Sequence, residues 1–208
     1  MTKIVPAILE HDVAAYRRKL TLIRQLTDRF QLDVIDGEFV DNRTIQPSDI
    51  EPPAGLKIDI HLMVRQPLSY ISSCVKLRAN TIIVQYETEG VDEAVTKIKQ
   101  NGLRAGVAIN PETTIAMIDG LLDRLDHVLV MAYPAGFAAQ KLQPATLAKA
   151  AELRAIKPEL EIGLDGGVAA DTLPKIAKAG FDIVNTNSYL FGADSTLTRY
   201  HELMEALA

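Results

Sequence analysis

Lys57-Ile58-Asp59-Ile60-His61-Leu62-Met63 reads as a strand that is apolar on one face and carries an acid and an imidazole on the other. Side chains two residues apart share a face of an extended chain, so Ile58, Ile60 and Leu62 oppose Asp59 and His61. Phe30-Gln31-Leu32-Asp33-Val34-Ile35 repeats the arrangement, with Leu32 and Val34 opposed to Gln31 and Asp33. Outward from these two stretches lie six more short aliphatic runs, at residues 4–9, 81–85, 104–109, 127–131, 161–165 and 181–185. All are rich in Val, Ile and Leu, as strands buried on both faces of a parallel sheet are. Between them the spacing predicts helices over 13–27, 67–77, 91–100, 114–122, 144–156, 171–179 and 195–207. Asp171 and Ser195 are candidate N-caps, and Gly102 and Gly180 sit where helices close before the next strand.

From one strand start to the next the intervals are 26, 27, 24, 23, 23, 34 and 20 residues, the length of a compact βα unit. Eight such units imply a parallel sheet closed into a (β/α)8 TIM barrel, one domain over residues 1–208. An open doubly wound sheet is the alternative. It usually advertises a glycine-rich first turn, and Ile8-Leu9-Glu10-His11-Asp12 holds no glycine. The stretch 42–53 is polar and broken by proline, so the helix after the second strand is poorly marked. The long sixth unit places extra residues between Met131 and Pro144, at the barrel end where loops build active sites; a ligand clamp is expected there.

The 208 residues are 48% hydrophobic and 24% charged, which excludes a disordered chain, and Cys74 alone forms neither an internal disulfide nor a zinc cluster. A formal net charge of −5 without a basic block argues against nucleic acid or an anionic membrane as partner. Met1-Thr2-Lys3-Ile4 is no secretory start and no apolar run reaches membrane length, so the expected compartment is the cytoplasm.

Charge is poorly tolerated in buried strands, yet Asp33, His61 and Asp165 come from three different ones, each near its C-terminal end. Two carboxylates on opposite sides of a barrel can act as acid and base on the two faces of one carbon, as epimerisation through an enediolate requires. A divalent cation held by Asp33, His61 and Asp165 would stabilise the enediolate oxygens. Asp59 is expected to orient His61. Backbone donors at Gly166-Gly167 and at Asn187-Ser188 follow the seventh and eighth strands, where barrels commonly hold a phosphate. With no arginine or lysine in those turns, the cradle is expected to rest on amides and a hydroxyl.

These residues resemble the ribulose-phosphate 3-epimerase family over nearly the whole chain. The matching blocks are Val5-Pro6-Ala7-Ile8-Leu9, the stretch from Leu32 to Asn42, Asp59-Ile60-His61-Leu62-Met63-Val64, and Gly106 to Thr113. Met131 to Gln140, Asp165-Gly166-Gly167-Val168 and Asn187 to Gly192 complete the series. The resemblance implies epimerisation of a ketose phosphate, by default ribulose 5-phosphate to xylulose 5-phosphate, by an isomerase of pentose phosphate metabolism. It implies a metal held by two histidines and two aspartates, with the aspartates also carrying the proton. Asp33, His61 and Asp165 match three of those positions, and Gln31 stands where the family has histidine. An amide oxygen is a poor partner for zinc or iron and better suited to manganese or magnesium. Met63 and Met131 are expected in an apolar cap over the reacting carbons, or in core packing. Gly136, Phe137, Ala138 and Ala139 are expected to close over a phosphate cradled by Gly166, Gly167, Asn187 and Ser188.

Other departures from the family cluster at the same site. Ala7 replaces a substrate-contacting serine, Gln85 a histidine of the fourth strand and Asn187 a glycine. Pro134, Ala135, Ala138 and Ala139 stand where the family loop reads Asn, Pro, Gly and Gly, and alanine for glycine crowds an approaching phosphate. A decarboxylase of the same superfamily would want a lysine where His61 stands. The alternative to an epimerase is a non-catalytic phosphosugar-binding barrel that has lost the full metal site. A small sugar phosphate is the expected partner, and homo-oligomerisation stays open.

Overall fold

All eight strands are present in a computed structural model, which describes residues 2–135 and 144–208. They are β1 (Lys3–Ile8), β2 (Arg29–Ile35), β3 (Lys57–Met63), β4 (Thr81–Gln85), β5 (Arg104–Ile109), β6 (His127–Met131), β7 (Glu161–Asp165) and β8 (Ile183–Thr186). Each pairs in parallel with the next, and β8 returns to β1, so the sheet closes as a single-domain (β/α)8 barrel. Closure removes the edge strands that an open sheet would expose.

Strand alternation decides where each side chain goes. Leu32, Val34, Ile58, Ile60, Leu62, Ile82, Val84, Val107, Val128, Val130 and Leu164 face outward and form the main core with the helices. Ile35, Met63, Ile83, Ala108, Leu129 and Met131 pack together as a second apolar cluster inside the barrel. Two interior glycines make room for His127. A Cβ on Gly163 would stand 2.9 Å from its Cε1, and one on Gly106 3.2 Å from its Cδ2.

The helices are α1 (Val13–Ile23), α2 (Leu68–Lys76), α3 (Val91–Gln100), α4 (Asp119–Leu122), α5 (Pro144–Ile156), α6 (Leu173–Lys178), α7 (Ser188–Phe191) and α8 (Thr196–Ala206). Ser195 caps α8 as expected, its side chain accepting from the Thr198 N–H at 3.2 Å. Asp171 does not cap. Thr172 takes the N-cap position of α6, and its hydroxyl accepts from the Ala169 N–H at 2.9 Å. No α-helix follows β2: the proline-broken stretch forms only a 3-10 turn over Pro47–Asp49. The expected helix over 114–122 divides into a 3-10 turn, Ile115–Ile118, and the single turn of α4. Gly102 and Gly180 adopt φ of 71° and 98°, the left-handed conformation that ends a helix at little cost to glycine.

Ion pairs seal the N-terminal end of the barrel. Arg29 Nε donates to Asp59 at 2.6 Å, while both Arg29 terminal nitrogens donate to Glu161 at 2.8 Å. Arg104 adds a third guanidinium contact to Glu161 at 3.0 Å, and His127 Nδ1 lies 3.3 Å from the same carboxylate. Burial alone would raise the pKa of Glu161, but the hydrogen bonds from Arg29, with the His127 imidazole close by, outweigh it and hold the carboxyl well below its usual range. Asp59 belongs to this floor. It accepts from Arg29 and from Asn80 Nδ2 at 2.7 Å, and so does not serve as the support for His61 that its position two residues away suggested.

Candidate active site

Asp33 near the end of β2, His61 of β3 and Asp165 at the end of β7 converge at the C-terminal mouth of the barrel. One ligand atom from each lies within 4.8 Å of the other two. His61 Nδ1 is 3.3 Å from Asp33 Oδ1 and 4.0 Å from Asp165 Oδ2. The register explains the meeting: Asp33 stands directly opposite His61, and Met131 opposite Asp165.

Gln31 sits in the same group, but with its NH2 inward. Gln31 Nε2 donates to Asp33 Oδ1 at 2.7 Å and to Asp165 Oδ2 at 2.6 Å, while its oxygen accepts from Asn185 Nδ2. In this orientation the amide bridges the two carboxylates and presents no lone pair to a cation. Burial first, and then the negative charge of Asp33, push the Asp165 pKa up to about 7.

A divalent cation fits the cluster on chemical grounds. Two carboxylates and an imidazole are a competent donor set for manganese, iron or zinc. His61 is fully buried, and neither of its ring nitrogens has a hydrogen-bond partner among the described residues. An unpartnered polar group in that position is costly, and coordination would satisfy one nitrogen.

A cleft beside the cluster is lined by Asp33, Asp165, Gly166, Gly167, Asn187 and Ser188, so the acids and both expected phosphate turns share one space. Gly166 and Gly167 have φ of 101° and 66°, which favours glycine at both positions. The Tyr133 ring lies on Gly166 so closely that a Cβ there would be 2.5 Å from Tyr133 Cε1. Met63 and Met131 are 2% and 3% exposed and pack with Ile35 and Ile83, the core role foreseen as one of two readings. Gly136, Phe137, Ala138 and Ala139 lie outside the described residues.

Three polar residues at this end were not singled out from the sequence. Asn185, 1% exposed on β8, holds the Gln31 oxygen. It obeys the strand-parity rule that flagged Gln31 and was detectable in the same way. Lys149 of α5 donates to the carbonyls of Asn110, Pro111 and Thr113 at 2.9, 2.9 and 2.7 Å, fixing the loop after β5. Lys19 of α1 donates to Asn187 Oδ1 at 3.2 Å, so a cation does reach the turn expected to lack one. Neither lysine is marked in the sequence, because each reaches across from a helix distant along the chain.

Known proteins share this sequence pattern and fold. Residues 3–191 match the profile of the ribulose-phosphate 3 epimerase family. The chain is 34% identical to the ribulose-phosphate 3-epimerase of Bacillus subtilis, over 92% of this chain and 93% of that protein. It is also 34% identical to ribulose-phosphate 3-epimerase 2 of Cupriavidus necator, over 99% of this chain and 90% of that protein. Among solved structures, a 3-hexulose-6-phosphate synthase superposes with a TM-score of 0.76 over all of both chains, and at 16% identity it supports the barrel alone. A profile match spanning most of the barrel, joined to whole-length relatives at this identity, makes the chain a member of the ribulose-phosphate 3-epimerase family.

Proposed function

We propose that this chain interconverts ribulose 5-phosphate and xylulose 5-phosphate, with Asp33 and Asp165 as the proton carriers and the whole of residues 1–208 as one catalytic domain. The observation that carries this reading is the pair of carboxylates, Asp33 buried and Asp165 partly exposed, bridged by one amide in the cleft that also holds the glycine and Asn187-Ser188 turns. Inversion at the carbon beside a carbonyl needs a base on one face and an acid on the other. Asp33 takes the C3 proton, the electron pair moves into the C2–C3 bond, and the carbonyl oxygen becomes an enediolate oxygen. Asp165 then gives its proton to the opposite face of C3, and the carbonyl re-forms. The product leaves Asp33 protonated and Asp165 ionised, ready for the reverse reaction; exchange with solvent restores the starting state. The raised pKa of Asp165 suits the donor in this exchange, since burial and the charge of Asp33 favour its protonated form.

Asp33, His61 and Asp165 would hold a divalent cation, whose charge stabilises the enediolate oxygens and makes the C3 proton more acidic. Gln31 faces this set with its NH2 and adds no ligand, so the chain offers two carboxylates and one imidazole, a set open to manganese, iron or zinc. Gly166-Gly167 and Asn187-Ser188 bind the phosphate, and Met63 and Met131 line the apolar side of the reacting carbons. The small sugar phosphate is the partner, and the cytoplasm is the compartment this substrate and the acidic composition favour. A barrel that merely binds phosphosugars has no use for two acids held against each other in a buried site, an arrangement that costs stability.

Incubation of the protein with ribulose 5-phosphate in deuterium oxide, with and without manganese, tests the reading. Xylulose 5-phosphate carrying deuterium at C3 is expected, and Asp165→Asn is expected to lower turnover by about a thousandfold. Phosphosugar binding without isotope exchange under any cation would establish the non-catalytic alternative.

A further inference from the structure

We propose that Lys19 is a positioning residue that turns the Asn187 side chain so that its NH2 becomes a donor to the substrate phosphate. The inference rests on the phosphosugar reading of the cleft and adds a side chain to a cradle otherwise made of backbone amides and the Ser188 hydroxyl.

Lys19 Nζ lies 3.2 Å from Asn187 Oδ1 and 2.6 Å from Glu10 Oε1, and 4.5 Å from the centroid of the Phe191 ring. The ammonium group is therefore held from three sides, by the loop after β1, the turn after β8 and α7. An ammonium offers only donors, so the oxygen of the Asn187 amide must face it. That fixes an orientation which amide chemistry alone leaves open, and it leaves the NH2 as the free end of the side chain of a residue that lines the cleft. The NH2 makes no hydrogen bond to any described residue, whereas its oxygen is engaged.

Charge supports the same conclusion. The cleft contains Asp33 and Asp165, which repel a phosphate dianion, and no arginine or lysine is among the described residues that line it. Lys19 stands behind Asn187, partly neutralised by Glu10, so its effect reaches the ligand chiefly through the amide it orients. Asn187, which crowds the turn where the family has glycine, thereby supplies a donor in exchange for the space it takes.

The test measures inorganic phosphate binding by calorimetry, and KM and kcat for ribulose 5-phosphate, in the wild type, Lys19→Met, Lys19→Arg, Asn187→Ala and the Lys19→Met/Asn187→Ala double variant. Loss of one hydrogen bond predicts that Lys19→Met and Asn187→Ala each weaken phosphate binding about fivefold and raise KM by a similar factor, more than they lower kcat. Because the two residues act through one contact, the double variant is expected to be no weaker than either single one. Lys19→Arg, which keeps the donor, is expected to stay within about twofold of the wild type. Asn187→Asp keeps an acceptor for Lys19 but has no NH2, so it should bind phosphate worst of all while remaining folded, and it carries the test if Lys19→Met fails to fold. Unchanged phosphate binding in Lys19→Met or Asn187→Asp, multiplying losses in the double variant, or a wild type that binds no phosphate would each overturn the proposal. A wild type that shows the phosphate pattern but no isotope exchange would refute the epimerase reading and leave this inference standing.

Discussion

Gln31→His should tighten zinc binding at the mouth of the barrel, and the structure sets the size of the effect. The oxygens that Gln31 Nε2 holds, Asp33 Oδ1 and Asp165 Oδ2, are the ones that face His61. A cation entering the group must compete with the amide for both. A hydrogen bond to a charged group contributes about 1.5–3 kcal/mol, so two at the lower limit oppose metal binding by about 3 kcal/mol. Imidazole removes that competition and offers a nitrogen lone pair. Asn185 Nδ2 loses the oxygen it donates to with or without metal, a cost of about 1 kcal/mol to the fold that leaves the affinity unchanged. The relief of about 3 kcal/mol corresponds to a gain in affinity of about a hundredfold. Magnesium shares that relief but, preferring oxygen ligands, gains nothing from the imidazole, so its affinity should rise less than that of zinc. Competition against a chromophoric chelator measures zinc, and calorimetry measures magnesium. Zinc affinity that stays level or falls in Gln31→His would refute the reasoning, as would an equal gain for both cations.

At the other end of the barrel, Glu161→Gln should destabilise the fold by about 2 kcal/mol at pH 7, because it takes a partly buried counter-charge from Arg29 and from the more exposed Arg104. The folded-state pKa of Glu161 is depressed, so its contribution is fully present above the unfolded value near 4.5 and is lost as the pH falls below it. Urea midpoints should therefore drop more steeply between about pH 5 and pH 3 in the wild type than in Glu161→Gln; parallel curves would argue against the ion-pair floor. Gly166→Ala should abolish measurable phosphate binding, since its φ of 101° and the 2.5 Å approach of Tyr133 leave no place for a Cβ. Calorimetry showing wild-type phosphate affinity in that variant would contradict the cleft as described.

The barrel was legible because closed parallel sheets impose a repeat on the chain, and the repeat survives when single elements fail. Residues 42–53 show the limit. Their prolines and polar residues predicted no good helix, and the structure forms only the turn at Pro47–Asp49. Strand parity located Gln31, Asp33 and His61, and Asp165 was marked by its strand end before two glycines. Parity gives the face of a side chain and not its height along the barrel. Asp59 and His61 share a face, but two residues of strand separate them by about 6.6 Å. That interval puts Asp59 within reach of Arg29 and Asn80, and leaves His61 to Asp33 and Asp165.

Height matters because the two ends of the barrel use the same residue types for opposite purposes. At the floor, Asp59 and Glu161 meet guanidinium groups at 2.6–3.0 Å, and their charge is matched where it stands. The mouth also has two acids, Asp33 and Asp165, but they share one neutral amide and lie beside an imidazole with no hydrogen-bond partner among the described residues. A pair of carboxylates without fixed cations must either take up a proton or take up a metal. The rise of the Asp165 pKa to about 7 is the first response, and the fit of Asp33, His61 and Asp165 to one cation is the second. Both responses suit the reaction proposed for this chain, which moves a proton across a carbon while negative charge accumulates on the neighbouring oxygens. What separates the structural end from the chemical end is thus an arginine set against the acids at one, and none among the described residues set against Asp33 and Asp165 at the other. That difference arises from Arg29 and Arg104 at the first positions of β2 and β5, far in sequence from the Glu161 they neutralise.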